Sequence, residues 1–265
     1  MLAILLLAPV LLLLGCQHRL IYHPPRYAEP VQIPAGVVTL RFQTGEGRQA
    51  AYWMPPQSGA EPQRIWMVCS GNATAALQWP EWLATVPDAS AGFLLIDYPG
   101  YGANEGDPDP ARILAVTEAA MRALAAHLRL TPEAVEARLA LFGHSLGCAT
   151  ALQHAARHPV QRIVLVAPFT TMLAMARRVV GWPLCHVLLH RFDNEARLME
   201  LATTTKPPPI VIFHGDQDQV IPVAMGRSLA QAHPGFVTFH AVAGADHDGV
   251  IDLAKEAIQR ALAQR

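Results

Sequence analysis

Two hydrophobic patterns follow one another along the chain. After residue 60 it contains six short, nearly continuous apolar runs, at 65–68, 93–96, 139–142, 163–166, 210–213 and 237–242. Helix-length segments separate them, a pattern typical of parallel strands that are buried on both faces. Before residue 60, the segments 37–42 and 50–54 alternate loosely around a Gly-rich turn and predict an antiparallel hairpin. We therefore expect an α/β fold with a mostly parallel sheet of about eight strands and helices on both faces.

The predicted helices have recognisable starts. Asp107-Pro108 and Thr131-Pro132 each supply a capping side chain followed by a proline at the first helical position. The last segment, 250–263, repeats apolar residues on one face and predicts a single helix that docks on the sheet.

Composition narrows the range of functions. A chain of 265 residues with 52% hydrophobic content fits one large domain, which we place at 37–265. A formal net charge of −1 offers no basic surface for phosphate backbones, so nucleic acid is not an expected partner. No His-Glu-x-x-His motif or paired cysteine spacing occurs, and we expect neither a metal nor another cofactor. The oligomeric state is not indicated by the sequence.

The amino terminus predicts export and anchoring. Residues 2–14 are apolar and would rise only about 20 Å as a helix, short of the roughly 30 Å hydrocarbon core of a bilayer. We interpret 1–15 as a signal peptide, because Gly15-Cys16 resembles the bacterial lipobox, in which the cysteine is acylated. Cys16 would begin a lipidated tether, 16–36, that holds the protein at the periplasmic side of the bacterial cell envelope. An uncleaved membrane anchor and a plain secretory signal remain alternatives.

The stretch 143–147 carries the candidate chemistry. The apolar run 139–142 predicts a strand that stops at Gly143, and the residues after Ser145 predict a helix. Ser145 therefore lies on a sharp corner, where the flanking Gly143 and Gly147 leave room for a strained backbone. A helix amino terminus beside the hydroxyl supplies free N–H groups where an oxyanion would form. An ordinary Gly-rich turn is the alternative.

The chain resembles the α/β-hydrolase superfamily, and within it the membrane-anchored serine hydrolases that include depalmitoylase-like and lysophospholipase-like enzymes. The resemblance covers nearly everything after residue 20 and depends on the serine corner and the segments 69–73, 97–102, 191–194, 214–222 and 244–247, in the family's order. It implies the α/β-hydrolase fold and a Ser-His-Asp triad.

Within that architecture we assign His247 as the base and Asp218 as the carboxylate that orients it. His247 follows the last predicted strand, and Asp218 matches the family's His-Gly-x-x-Asp-x-x-Val/Ile-Pro pattern. The competing carboxylates, which we expect to be solvated or capping, are Asp216, Asp246 and Asp248. His144 adjoins the serine, but neighbours on a sharp corner point apart, so a packing role is expected for it.

The oxyanion should be bound by two backbone N–H groups, those of Leu146 and Asn72, with Ala73 as the alternate to Asn72. The apolar segment 169–201 predicts either a small cap insertion over the site or an ordinary helix pair at the sheet edge. As a cap it would place Met172, Met175 and Trp182 against the substrate.

These assignments predict a serine hydrolase that cleaves carboxylic esters or thioesters through an acyl-enzyme. Its expected partners are a small acylated substrate and, through the lipid anchor, a membrane. A peptidase acting on short peptides is one alternative, and a non-catalytic, membrane-tethered binding protein of the same fold is the other.

Overall fold

The computed structural model describes residues 12, 14, 15 and 17–264. The proposed lipidation site, Cys16, and most of the predicted signal peptide 1–15 lie outside the described residues. In the part of the chain that is described, every helix is too short or too polar to cross a membrane.

One eight-stranded sheet forms the centre of the domain, with the strand order β1-β2-β4-β3-β5-β6-β7-β8. Strands β3 to β8 are parallel to one another, and β2 joins the sheet antiparallel to both β1 and β4. The strands span β1 Val38–Thr44, β2 Gly47–Met54, β3 Arg64–Cys69, β4 Ala91–Ile96, β5 Leu139–His144, β6 Ile163–Val166, β7 Ile210–Gly215 and β8 Val237–Val242. The predicted α/β fold and the amino-terminal hairpin are confirmed.

Helices cover both faces of this sheet. They span α1 Pro80–Leu83, α2 Pro110–Leu128, α3 Pro132–Glu136, α4 Leu146–Ala155, α5 Met172–Val180, α6 Asn194–Ala202, α7 Val223–Ala232, α8 Val250–Leu253 and α9 Lys255–Ala263. Short 3₁₀ turns occupy Ala76–Gln78 and Leu184–Val187, and residues 17–21 are helical.

The core consists of two apolar layers, one on each face of the sheet. Helices α2, α4, α6 and α7 pack in one layer, and α1, α8 and α9 pack in the other. Strand β5 shows why the central strands have no period of two in sequence: Leu139 and Leu141 enter one layer, whereas Ala140 and Phe142 enter the other.

Two helix boundaries differ from the sequence prediction. Helix α2 begins after Asp109, whose Oδ1 accepts a hydrogen bond from the Arg112 N–H at 2.8 Å, and not after Asp107. The second proline explains this, because a residue before proline, here Asp109 before Pro110, is disfavoured in helical conformation. The predicted last helix is interrupted at Ala254, which separates α8 from α9.

Candidate active site

Ser145 lies on the sharp turn between β5 and α4. Its backbone has φ 52° and ψ −116°, a strained conformation for a residue with a side chain. The turn requires glycine on both sides of the serine, because the backbone segments approach too closely there for a Cβ atom. A Cβ on Gly147 would overlap the carbonyl oxygen of Cys69, and a Cβ on Gly143 would overlap the carbonyl oxygen of Gly147. The Ser145 N–H donates to the Val166 carbonyl at 2.9 Å, which ties the turn to β6.

The structure brings Ser145, His247 and Asp218 together. His247 Nε2 lies 3.0 Å from Ser145 Oγ, and His247 Nδ1 lies 2.7 Å from Asp218 Oδ2. The three residues follow β5, β8 and β7, so they meet at the carboxyl ends of three parallel strands. Contacts of this length form a continuous chain from a carboxylate through an imidazole to a hydroxyl.

Asp218 is buried and its two oxygens have different partners. Oδ1 accepts the backbone N–H groups of Val220 and Ile221, each at 2.8 Å, and Oδ2 faces His247, with His214 Nε2 at 3.3 Å. Burial acts to raise the pKa of Asp218, but the hydrogen bonds from His214, His247 and the Ile221 N–H outweigh burial and hold the pKa below its usual value. Asp218 is therefore a carboxylate at neutral pH.

The competing carboxylates have other contacts. Asp216 is exposed, and its Oδ1 accepts the Gly244 N–H at 2.8 Å. Asp246 is exposed too, and its Oδ1 accepts the Gly249 N–H at 2.7 Å. Both side chains hold loop backbone on either side of His247. Asp248 lines the cavity beside His247 and is exposed.

His144 does not point away from the site, contrary to the sequence expectation. Its ring centroid lies 5.3 Å from that of His247, and its Nε2 lies 3.3 Å from the His247 carbonyl oxygen. Burial, with a further contribution from the neighbouring His247, lowers the pKa of His144 to about 4, so the ring is neutral at physiological pH. A neutral ring that donates from Nε2 holds the backbone of the His247 loop. The two residues are 103 positions apart, and no local pattern indicates the contact.

Asn72, Ala73 and Leu146 line the same cavity as Ser145. Leu146 is the first residue of α4, so its N–H has no helical acceptor. A turn closed by the Thr74 N–H to the Gly71 carbonyl, at 3.3 Å, presents the loop that contains Asn72 and Ala73. The predicted oxyanion donors therefore border one space.

The Asn72 side chain holds the amino-terminal segment, which the sequence did not indicate. Its Nδ2 donates to the Ile21 carbonyl at 2.7 Å, and its Oδ1 accepts the His23 N–H at 2.9 Å and the Tyr101 hydroxyl at 2.7 Å. The loop assigned to the oxyanion is thus tied to residues that precede the first strand.

The cavity beside Ser145 has a volume of about 430 Å³ and is mostly apolar. Met172 and Met175 of α5 line it, as the cap prediction proposed. Trp182 does not: its side chain is 72% exposed and lies outside the lining. Trp182 follows the end of α5 and so does not continue the helix face that carries Met172 and Met175. The helix ends at Gly181, whose φ of 73° is not helical.

The segment 17–23 forms a further wall of this cavity. Gln17, Leu20, Ile21 and His23 all line it. Asn72 holds the segment at Ile21 and His23, and at its other end Gln17 Oε1 accepts the Leu189 N–H at 2.7 Å. Residues interpreted from sequence as part of a tether therefore border the candidate active site.

His144, His247 and Asp248 form the one metal-like cluster found among the described residues, with ligand atoms within 4.8 Å of one another. Both ring nitrogens of His247 already have partners, Ser145 and Asp218. A metal ion at either nitrogen would therefore displace a member of the Ser145–His247–Asp218 chain.

The mostly parallel sheet with a serine on the strand-to-helix corner defines an alpha/beta hydrolase fold. Residues 67–200 match the alpha/beta hydrolase family, and the chain belongs to that family. It is 28% identical over 236 residues to an uncharacterized protein of Mycobacterium tuberculosis, covering 88% of this chain and 80% of the relative. It is 29% identical over 154 residues to alpha/beta hydrolase domain-containing protein 17C of Xenopus tropicalis, and this match covers 58% of this chain and 46% of the relative. Among solved structures, an esterase of Pyrococcus furiosus shares the fold with a TM-score of 0.68 at 13% sequence identity. The match covers 91% of this chain and 96% of the esterase chain.

Proposed function

We propose that the protein is a serine hydrolase that cleaves carboxylic esters or thioesters through an acyl-enzyme. The observation that carries this proposal is the hydrogen-bonded chain Asp218–His247–Ser145 at the edge of a largely apolar cavity. Family membership supports a hydrolase. An esterase of Pyrococcus furiosus has a similar fold. The mostly apolar lining of the cavity beside Ser145 suits the acyl group of an ester or thioester.

In the first half-reaction His247 Nε2 takes the proton from Ser145 Oγ while Oγ attacks the carbonyl carbon of the substrate. The negative charge moves to the carbonyl oxygen, where the backbone N–H groups of Leu146 and Asn72 stabilise it, with Ala73 as the alternate donor. The protonated imidazole then gives its proton to the departing alcohol or thiol, and the acyl group remains on Ser145.

In the second half-reaction water replaces the leaving group. His247 takes a proton from the water as its oxygen attacks the acyl carbon, and the proton returns to Ser145 Oγ when the carbon–oxygen bond breaks. The product is a carboxylic acid. Asp218, negatively charged and fixed by two backbone N–H groups, holds the proton of His247 on Nδ1 and stabilises the imidazolium in both halves.

The cavity lining favours acyl chains longer than acetyl. Each buried methylene contributes up to about 0.8 kcal/mol, so kcat/KM should rise from acetate to octanoate in a p-nitrophenyl ester series extended to palmitate. A flat or falling series would contradict the acyl-binding role of Met172 and Met175.

Covalent labelling tests the nucleophile directly. A fluorophosphonate should modify Ser145, and Ser145→Ala should lose both labelling and turnover, with any residual rate at least about a thousandfold below wild type. Ester hydrolysis above that residual level by a pure Ser145→Ala sample would refute the mechanism.

We also propose that the mature chain begins at an acylated Cys16 and is held at the bacterial cell envelope. The support is the apolar stretch 2–14 followed by Gly15-Cys16. Mass spectrometry of the first tryptic peptide distinguishes this from an unmodified Met1 start, which would indicate an uncleaved anchor, and from an unacylated Cys16 start, which would indicate secretion.

A further inference from the structure

Exposed apolar side chains are concentrated near one opening of the molecule. The described residues leave eleven large hydrophobic side chains exposed, of which Leu12 and Leu14 belong to the predicted signal peptide. Five of the other nine line the cavity beside Ser145 or lie next to its lining in the chain: Leu20, Val179, Trp182, Leu189 and Val220. Leu20, Val179 and Val220 line the cavity. Leu189 directly follows the lining residue Leu188, and Trp182 lies between the lining residues Val180 and Leu184 in the chain. We call these five exposed residues the rim.

Helix α5 lacks a covering partner at the rim. None of its nine residues is buried, although Met172, Met175 and Val179 all line the cavity. A helix with an apolar side and no buried residue is typical of a surface that is covered in the working state of the protein. Since Met172 and Met175 pack on the core, the uncovered part is the end near Val179.

The chain itself indicates what covers the rim. The segment 17–23 is fixed to the domain by Gln17 to Leu189, by Asn72 to Ile21 and His23, and by the Tyr22 hydroxyl, 3.3 Å from His190 Nδ1. Cys16, the proposed acylation site, directly precedes this fixed segment. The membrane that receives its acyl chains therefore lies close to the rim.

Charge points to the same occupant. Arg19 lies in the fixed segment, and Arg177 and Arg178 lie on α5 beside Val179, all exposed. Cations next to an apolar surface suit the phosphate groups of a bilayer interface. Asp248 is the one carboxylate among the lining residues, and it belongs to the loop of His247.

We propose that the rim docks on a phospholipid bilayer, so that the acyl chain of a membrane-embedded ester or thioester passes from the bilayer into the cavity beside Ser145. The choice of substrate depends on the proposed function, whereas the docking does not. The anchor and the rim then act together: the acylated Cys16 keeps the protein at the membrane, and the rim sets its orientation.

Trp182 provides a native reporter for this orientation. The other four tryptophans are buried or half-buried, so the spectrum of the wild type minus that of Trp182→Phe isolates the rim. Full-length protein in phosphatidylcholine–phosphatidylglycerol vesicles should show a blue-shifted Trp182 emission that is quenched by lipids brominated on the acyl chains and shielded from iodide. Quenching by iodide, without quenching by brominated lipid, would overturn the proposal. Shielding that depends on protein concentration in the absence of vesicles would also overturn it, in favour of self-association.

A matched pair of substitutions tests the consequence for turnover. Leu189 and Leu253 are 66% and 64% exposed, but Leu253 belongs to α8, which packs on the opposite face of the sheet from Met172 and Ile21. Leu189→Glu should lower hydrolysis of p-nitrophenyl palmitate carried in vesicles by about tenfold or more relative to Leu253→Glu. Hydrolysis of p-nitrophenyl acetate in solution serves as the internal reference for the active site.

The outcomes separate the two proposals. Equal vesicle rates for Leu189→Glu and Leu253→Glu, both folded, would overturn docking of the rim. If Leu189→Glu loses the acetate reaction as well, Trp182→Glu replaces it in the same comparison. If the wild type turns over no ester at all, the proposed function fails, and the quenching of Trp182 alone decides whether the rim meets the bilayer.

Discussion

Replacing Asp218 by asparagine should leave the fold intact and place the proton of His247 on the wrong nitrogen. The carboxylate uses Oδ1 to accept two backbone N–H groups, from Val220 and Ile221, and Oδ2 to accept from His247 Nδ1. In Asp218→Asn the amide oxygen must stay at the Oδ1 position, because the amide –NH2 cannot accept from the two N–H donors. The –NH2 then faces His247 Nδ1 and donates to it. His247 consequently carries its proton on Nε2, and this nitrogen can then no longer accept the proton of the Ser145 hydroxyl.

The size of the loss follows from two competing states. Catalysis from the wrong tautomer costs about ten-thousandfold in turnover, which is about 5 kcal/mol. The amide can escape by flipping, but it then leaves the N–H groups of Val220 and Ile221 without this acceptor, at about 1–3 kcal/mol each. Because the cheaper route sets the observed rate, Asp218→Asn should lose between about thirtyfold and ten-thousandfold in kcat.

Asp216→Asn is the matched control, since it makes the same change two residues away. Asp216 is exposed and accepts only a loop N–H, from Gly244, so its loss should cost at most a few-fold in kcat. The assay is steady-state hydrolysis of a soluble short-chain ester, with circular dichroism to establish that both variants are folded. A loss below about tenfold for Asp218→Asn, or a reversed order of the two variants, would refute the assignment of the orienting carboxylate.

Three further predictions concern the support of the site. Burial raises the pKa of Asp97 from 3.8 to about 6, so the native state holds this proton more tightly than the unfolded state. Wild type should therefore lose about 3 kcal/mol of unfolding free energy relative to Asp97→Asn as pH rises from about 3 to 7; a pH-independent difference in urea titrations would contradict this. Gly147→Ala should destabilise by about 3 kcal/mol or more, because its Cβ meets the backbone of Cys69, whereas Gly45→Ala, with open space around it, should be neutral in thermal unfolding. Asn72→Ala keeps its backbone donor but should reduce hydrogen-exchange protection in the segment 17–23 and lower kcat/KM by about tenfold; unchanged protection would show that the side chain does not hold the segment.

The sequence predicts the sheet well because burial of the central strands leaves a strong local signal. All six residues of β5 are buried, and the apolar run 139–142 marks the strand without any alternation. The edge strand β8 is only partly buried, yet its β-branched and aromatic residues still mark it. Helix boundaries are harder to predict, because Asp107-Pro108 and Asp109-Pro110 offer the same local cap. The second pair is the one used, since Pro110 disfavours a helical conformation at Asp109 and so prevents an earlier start.

The grouping of Ser145, Asp218 and His247 could be predicted because each follows a predicted parallel strand, and the carboxyl ends of such strands meet at one edge. The contacts of His144 and of the segment 17–23 could not be predicted in this way. The longest of them join residues 103 positions apart, for His144 with His247, and 172 positions apart, for Gln17 with Leu189, and no sequence pattern pairs the two ends. A side chain's direction on a corner is likewise set by tertiary packing, which is why His144 and Trp182 differ from expectation.

The amino-terminal segment and the loop of Asn72 depend on each other for their positions. Asp97 is buried, and its two oxygens accept from the Ala76 N–H at 2.8 Å and from the Tyr27 hydroxyl at 2.7 Å, while the Leu77 N–H donates to that hydroxyl at 3.0 Å. One carboxylate thus connects the end of the Asn72 loop with the segment that precedes β1. Asn72 makes the second connection, and a change in the position of either partner must alter the other. Because the segment also follows directly on Cys16, the geometry of the proposed oxyanion donors is physically linked to the residue proposed to anchor the chain at the membrane.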